Sequence, residues 1–470
     1  MMMEAVDKVF GRLVEEGVDL SAVKAVKADA MQHCSVYANR GFAPALKALS
    51  SSSSLCEQLK PAISRPTSPI WEDRTTGEQA ELLTRWFKEP GLAALCANKA
   101  ELRFPGPQVM KWACESPKEY EETAHVMLLS AFVTSLLAGK VCPVDTGDGW
   151  GTNLNSMDIR KPGWNPRILK SVGSWLRDQG LKSDLAAKLG SMTHYDADCG
   201  AISPYFVRKY GLSKSVRVLA GTGDNPATLL GCGGGIVVSL GSSYTVNGAM
   251  DRIVPSASGE YNVFGYTKNR AMALSVVTNG GKVHETFLRT YLKKSSQEPL
   301  AGSDWDAYLA LAGGTGPALS AGEPLLLPYL MDESVPVAKA GIVRDGFSAD
   351  DASANVRGLH VSQAVSLRLH SSHLSGVKEF CVAAGGAKNP FLRQTLADLF
   401  CAPCWSIKDA DYAAPLGCAI SALRRAAGGS YERAAGRVVR KDESTVTQPR
   451  TGTPVERLLE RYRSLEERSK

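Results

Sequence analysis

The sequence predicts an α/β chain of two or three domains, on three observations. Its 470 residues exceed what one hydrophobic core usually holds. Short β-rich runs repeatedly end in glycine loops. Segments with apolar residues at helical spacing follow those loops.

Val6, Val9, Phe10, Leu13 and Val14 recur at helical spacing, so the chain opens in a helix over 4–16. A β-rich run at 23–30 leads into Met31-Gln-His33, and 48–54 is a serine-rich loop. Helices are expected over 77–87, 91–98 and 117–138. The apolar part of the last, 126–138, is too short to cross a bilayer and reads as buried helix. A composition break near 211–216 precedes a buried strand, Val216-Arg-Val-Leu-Ala220, and the turn Gly221-Thr-Gly-Asp-Asn-Pro226. Ile236-Val-Val-Ser-Leu240 is a second strand, ended by Gly241-Ser-Ser243. A helix over 359–374 precedes a strand over 380–383, closed by Gly385-Gly386. Helices over 391–400 and 414–426 follow. The tail over 454–468 is a charged helix whose apolar seam, Val455, Leu458, Leu459 and Tyr462, suits packing on the body.

Composition narrows the function classes. The chain is 44% hydrophobic and 22% charged, as in soluble globular proteins. Its net charge of +6, from 54 basic and 48 acidic residues, is mild and scattered. No aromatic–basic interleaving points to nucleic acid. No apolar run reaches membrane-spanning length, and no signal-peptide pattern opens the sequence. The 11 cysteines show no disulfide spacing, so reduced thiols in a cytoplasmic compartment are expected. Cys401-Ala-Pro-Cys404 has redox spacing, but it sits where a helix hands over to a strand rather than opening a helix.

Three glycine-flanked turns concentrate the chemistry. Asp224, in Gly221-Thr-Gly-Asp-Asn-Pro226, ends a buried strand, where open α/β sheets bind ligands. There a carboxylate can take a proton from a hydroxyl nucleophile. The local alternative is an Asx-type turn ahead of a helix. Gly241-Ser-Ser243 and Gly385-Gly-Ala-Lys-Asn389 are glycine turns after strands. Backbone N–H groups in such turns, with a helix N-terminus behind them, bind phosphate. Neither is a Walker A loop. His33 follows a β-rich run and can hydrogen-bond a sugar hydroxyl, or be an ordinary packed histidine. Arg103 can fork onto a polyol or phosphate, or be a surface arginine. Spacing offers no metal site and no Gly-x-Ser-x-Gly elbow.

Collinear motifs add a resemblance. Thr222-Gly-Asp-Asn-Pro226 followed by Val238-Ser-Leu-Gly-Ser-Ser243 resembles the FGGY carbohydrate-kinase family, most of all its eukaryotic-type xylulokinases. Gln32-His-Cys-Ser-Val-Tyr37, Ser68-Pro-Ile-Trp-Glu-Asp73, Arg103-Phe-Pro-Gly-Pro-Gln108, Asp148-Gly-Trp-Gly-Thr-Asn-Leu154 and Ile202-Ser-Pro-Tyr-Phe-Val-Arg-Lys-Tyr-Gly211 resemble further family motifs in the same order.

The resemblance implies two ribonuclease-H-like domains of the actin/hexokinase type around a cleft: 1–215 for sugar, 216–430 for nucleotide, then a charged tail over 431–470. It implies phosphorylation of D-xylulose using ATP and Mg²⁺. His33, Arg103, Asp224 and Asn225 match the family's sugar contacts, and Asp224 its base. Gly241 and Ser242 match a phosphate loop. Gly386, Ala387 and Asn389 match an adenosine motif, and Trp305 a nucleotide-contacting tryptophan.

The sequence also departs from the pattern. Family members open with a β-hairpin carrying Asp-x-Ser/Gly-Thr, whereas here Met1-Met-Met leads straight into the next helix. The first domain is therefore expected to be incomplete. Tyr244 stands where an Asp usually follows the second phosphate loop, Met31 replaces a Gln, and the adenosine motif is one residue short. These departures leave a non-catalytic protein that binds a sugar or a partner as the alternative. A thiol oxidoreductase using Cys401 and Cys404 is a third reading.

Overall fold

The computed structural model describes residues 1–182, 184–314, 318–374, 376–408 and 410–469, so Lys470 of the tail lies outside the described residues. The chain divides into two compact units. Unit 1 comprises Met1–Gly233, Ala249–Met272 and Ala413–Val438; unit 2 comprises Gly234–Gly248, Ala273–Tyr412 and Val439–Lys470. The boundary thus falls inside the span 216–430 that the sequence suggested as one domain. Residues from three separate stretches of that span join unit 1, and most of the expected tail joins unit 2.

In unit 1 the first helix, Met2–Glu15, buries Met3 and packs Val6, Phe10 and Leu13 into a core with Leu46, Leu55, Tyr205 and Phe206. The β-rich run at 23–30 is two short strands rather than one. Ala25–Val26 pairs in parallel with Arg217–Leu219, and Asp29–Ala30 with Thr222–Gly223. Lys27 breaks the run, because its buried ammonium donates to the carbonyls of Tyr195 and Ala220. The second pairing sets Gln32 and His33 beside the turn that carries Asp224.

The helix expected over 117–138 is corrected. Pro117–Glu122 and Leu129–Ala138 are helical, but Thr123–Leu128 between them is a strand paired antiparallel with Ser35–Asn39. An apolar run without clear periodicity does not distinguish buried strand from buried helix, and the pairing partner lies far away in sequence.

The helix Asp224–Gly231 crosses the helix Ala413–Ala427 in backbone contact. A Cβ on Gly231 would lie 1.8 Å from the Ala413 carbonyl oxygen, and one on Gly417 would lie 1.9 Å from that of Ala227. Only glycine fits either position.

In unit 2 the strands run side by side in the order Arg270–Val277, Tyr244–Met250, Ile236–Leu240, Phe380–Ala383, Cys404–Ile407, Lys441–Thr447. Ile236–Leu240 and Phe380–Ala383 are parallel neighbours, with Ile236 opposite Phe380 and Ser239 opposite Ala383. The glycine turns that follow them therefore emerge at one sheet edge. The turn Gly241-Ser-Ser243 does not feed a helix, as expected, but closes a hairpin onto Tyr244–Met250. The helix expected over 359–374 starts earlier, at Ala352, where Asp351 accepts the Ala354 N–H, and ends at Leu369. The tail helix Val455–Arg468 buries Leu458, Leu459 and Tyr462 of its seam and packs on Ala352–Leu369 and on the strand Leu326–Tyr329.

Gly417→Val should drive the helix that carries Asp224 off its seat. We expect a loss of about 1–3 kcal/mol or more from overpacking, read as a lowered melting temperature or insoluble protein.

Candidate active site

Asp224 begins the helix Asp224–Gly231, directly after the short strand Thr222–Gly223. Its Oδ1 accepts the Asn225 backbone N–H at 2.9 Å and the Asn225 side-chain amide at 3.0 Å. The carboxylate also accepts the Gln32 backbone N–H. Burial pushes the Asp224 carboxyl up to about 6; the N–H bonds from Gln32 and Asn225 hold it back, and the nearby charge of Asp29 adds to the rise. The group is thus poised to gain and lose a proton close to neutrality.

Gln32 ties this cluster together. Its Oε1 accepts the Asn225 Nδ2–H at 2.8 Å, and its Nε2 donates to the Gly147 carbonyl at 3.1 Å. Gly223 makes room for it, since a Cβ there would lie 2.3 Å from Gln32 Cγ. Both hydrogens of the Asn225 amide are thereby engaged, leaving its Oδ1 as the atom it offers a ligand hydroxyl.

His33 sits one residue on, buried, with left-handed φ of +67°. Asp148 accepts its backbone N–H, and Ser130 donates to Asp148 Oδ2 at 2.6 Å. His33 Nδ1 lies 3.0 Å from the Gly151 carbonyl oxygen, which can only accept, so Nδ1 carries the hydrogen and Nε2 is left as an acceptor. Burial, with the neighbouring Arg103 charge, lowers the imidazole to about 3, so it is neutral. Its ring stacks on Phe104 at 4.4 Å. A Cβ on Gly151 would lie 2.7 Å from His33 Cε1, so glycine is required there too. Arg103 donates to Asn262 Oδ1 at 2.8 Å and lies 3.8 Å from Glu101, which holds the guanidinium in place.

Unit 1 thus brings His33, Arg103, Asp224 and Asn225 into one neighbourhood. Sequence reasoning assigned no role to Gln32, Gly147, Asp148 or Gly151, although Gln32, Asp148 and Gly151 stood inside quoted motifs. Their work is done by backbone contacts and long-range hydrogen bonds that a single sequence does not display.

Unit 2 contains a cavity of about 780 Å³, with Gly241, Ser242, Trp305, Gly386 and Asn389 among its lining residues. Close glycine packing builds it. The Gly281 N–H donates to the Gly241 carbonyl at 3.0 Å, and a Cβ on Gly281 would lie 2.4 Å from that oxygen. A Cβ on Gly386 would lie 2.6 Å from Leu240 Cβ. The hairpin tip, the start of the helix Gly281–Tyr291 and the Gly385–Lys388 turn are thereby locked together. Ala387, by contrast, is buried within that turn and is not among the residues lining the cavity; its N–H is bonded to Ala384.

Asn389 caps the helix Pro390–Phe400 by accepting the Leu392 N–H at 3.0 Å, while its Nδ2 donates to His360 at 2.9 Å. Its side chain is therefore fixed in the wall. Trp305 is part-exposed at the cavity and meets Tyr308 edge-on at 6.0 Å. Within the wall, Tyr308 bonds His284 Nδ1 at 3.0 Å and His284 Nε2 bonds Gln363 Oε1 at 2.7 Å. Gln363 in turn donates to the carbonyls of Asn279 and Gly280. Lys282 and Lys388 also line the cavity, together with Glu285 and Asp306, so its wall carries charges of both signs that sequence reasoning did not assign to it.

Among known proteins, the chain is 30% identical over 478 residues to a probable D-xylulose kinase A of Aspergillus fumigatus, covering 94% of this chain and 82% of that protein. The chain belongs to the xylulose-kinase branch of the FGGY carbohydrate kinases. The xylulose kinase of Rattus norvegicus is 28% identical, over all of this chain and 86% of its own length. The solved xylulose kinase of Lactobacillus acidophilus superposes with a TM-score of 0.75 at 17% identity, covering 99% of this chain and 87% of that one. The fold is accordingly that of the two-domain kinases of actin/hexokinase type. No family model matches the chain.

His360 is likewise buried, and that burial lowers it to about 4. His33 and His360 should therefore both stay neutral and Nδ1-protonated from pH 8 down to pH 5, read from imidazole ¹⁵N chemical shifts. Titration of either within that range would contradict the assigned environments.

Proposed function

We propose that the chain transfers the γ-phosphoryl group of ATP to the terminal hydroxyl of D-xylulose, forming ADP and D-xylulose 5-phosphate. The Asp224 cluster carries this reading: a carboxyl near pKa 6, held by backbone N–H groups, beside neutral His33, Asn225 and Arg103. Relatives named for D-xylulose supply the choice of sugar.

In this reading His33 Nε2 and Asn225 Oδ1 accept hydrogens from sugar hydroxyls, and Arg103 donates to a sugar oxygen. Asp224 takes the proton of the terminal hydroxyl as that oxygen bonds to the γ-phosphorus and the bond to the β–γ bridging oxygen breaks. The cavity of unit 2 has the volume of a small-molecule site. Gly241 and Ser242 would meet the phosphates, and Gly386, Ala387, Asn389 and Trp305 would flank the adenosine. Among the described residues no group of three or more His, Cys, Asp or Glu forms a metal cage. Mg²⁺ carried on the phosphates would neutralise charge on the transferred group. The eleven thiols fit a cytoplasmic setting.

Three outcomes test the reading. Asp224→Asn should lower kcat by roughly 10²–10⁴-fold in a coupled ADP-release assay while calorimetry still detects D-xylulose binding; unchanged turnover would refute the base. In the intact protein kcat should rise as pH increases through about 6 and level off above it, because only the deprotonated carboxyl accepts a proton. Gln32→Met, which keeps volume but loses both side-chain bonds, should raise KM for D-xylulose about tenfold and leave KM for ATP unchanged.

A further inference from the structure

Unit 1 holds a cavity of its own, of about 160 Å³, which none of His33, Arg103, Asp224 and Asn225 lines. Its wall comes from the strand Thr123–Leu128, the start of the helix Leu129–Ala138 and the segments 141–144 and 188–191. Met127, Leu128, Ala131, Cys142 and Val144 form a buried floor. Apolar cavities on the order of 150 Å³ stay dry and admit a benzene ring.

Most polar groups of the wall are turned to the protein rather than to this space. Lys188 Nζ donates to the carbonyls of Tyr120 and Thr123 and lies over the Tyr120 ring at 4.7 Å. Its methylenes are what it offers the cavity. Thr152 Oγ1 donates to the Gly149 carbonyl at 2.8 Å, and Trp164 Nε1 to that of Gly190 at 2.7 Å. Among the described residues, no buried side-chain nitrogen or oxygen of the lining lacks a partner.

His125 differs. It sits part-exposed in the wall, on the strand Thr123–Leu128. Its ring meets Phe42 at 6.3 Å and makes no hydrogen bond with the described residues. Burial lowers the imidazole below its ordinary value, so near neutrality it offers one N–H and one acceptor nitrogen. The chamber is thus apolar with one hydrogen-bonding group, which suits an uncharged ring bearing a hydroxyl. A carboxylate finds no free cation, because the Lys188 ammonium is engaged, and a cation finds no Asp or Glu in the lining.

The cavity also touches the supports of His33. Pro105 and Thr152 line it, and each is one residue from a group that holds the His33 ring: Phe104 stacks on that ring, and the Gly151 carbonyl accepts its N–H. The Gly106 N–H donates to the Thr152 carbonyl at 2.9 Å, and a Cβ on Gly106 would lie 2.6 Å from that oxygen. The two supports are therefore joined. We propose that this cavity binds a small neutral phenol-like molecule, held by His125 and felt at His33.

The test offers phenol, benzene and benzoate to the intact protein, read by calorimetry and by a phenol-soaked crystal. Phenol should bind about tenfold more tightly than benzene, the worth of one hydrogen bond, and benzoate should not bind measurably. The crystal should place the ring against Met127 with its oxygen on His125. Phenol should also shift the His33 imidazole ¹⁵N resonance. His125→Leu should reverse the order of phenol and benzene, because the buried hydroxyl then loses its partner. Ala131→Met, which fills the chamber, should abolish binding of both. If that variant fails to fold, His125→Leu, at a part-exposed position, still decides. Phenol bound elsewhere, benzoate binding as well as phenol, or a preference for phenol that survives His125→Leu would overturn the site. An unmoved His33 resonance would overturn its link to His33.

Discussion

The Asp224 cluster depends on one close approach: the Gln32 side chain lying against Gly223. No other residue at 223 leaves room for it. From that position Gln32 holds Asn225 with one arm and Gly147 with the other, and its backbone N–H reaches Asp224. The parallel pairing of Asp29–Ala30 with Thr222–Gly223 is only two residues long, so it fixes position without much energy of its own. Side-chain bonds complete what the ladder begins. Buried polar networks of this kind hold a single geometry only when every member is satisfied.

The electrostatics follow from that packing. Burial alone would push a carboxyl far upward, and two backbone N–H groups restrain Asp224 to about 6. Its neighbours diverge. Asp145 rises to about 7 despite Lys27 at 3.9 Å, because burial outweighs the ammonium. Asp148 is driven well above the carboxylate range, again chiefly by burial. Of the carboxyls around Thr222, Asp224 is also the one with part of its surface exposed among these three. Chemistry at this site therefore selects by access as well as by acidity.

Much of this was legible in the sequence. Strands that end in glycine turns announced the α/β class, and the strand over 380–383 lies where expected. The motif around Asp224 marked the turn where buried carboxyls gather, and the tail seam pointed to a buried helix face. What stayed hidden was long-range. The strand Thr123–Leu128 is defined by its distant partner, not by its own apolar pattern. The hairpin after Gly241 needed the register of Leu240 against Tyr244. The roles of Gln32 and Gly223 reside in a contact between residues nearly two hundred positions apart. Local pattern thus reported elements and turns, while three-dimensional approach decided what each turn holds.

The most direct measurement is a crystal structure of the protein with D-xylulose bound. The account predicts the terminal hydroxyl oxygen within about 2.6–3.2 Å of an Asp224 carboxylate oxygen and a second hydroxyl donating to His33 Nε2. A sugar bound away from Asp224, or one whose terminal hydroxyl faces only Asn225 while Asp224 keeps solely its protein partners, would contradict it.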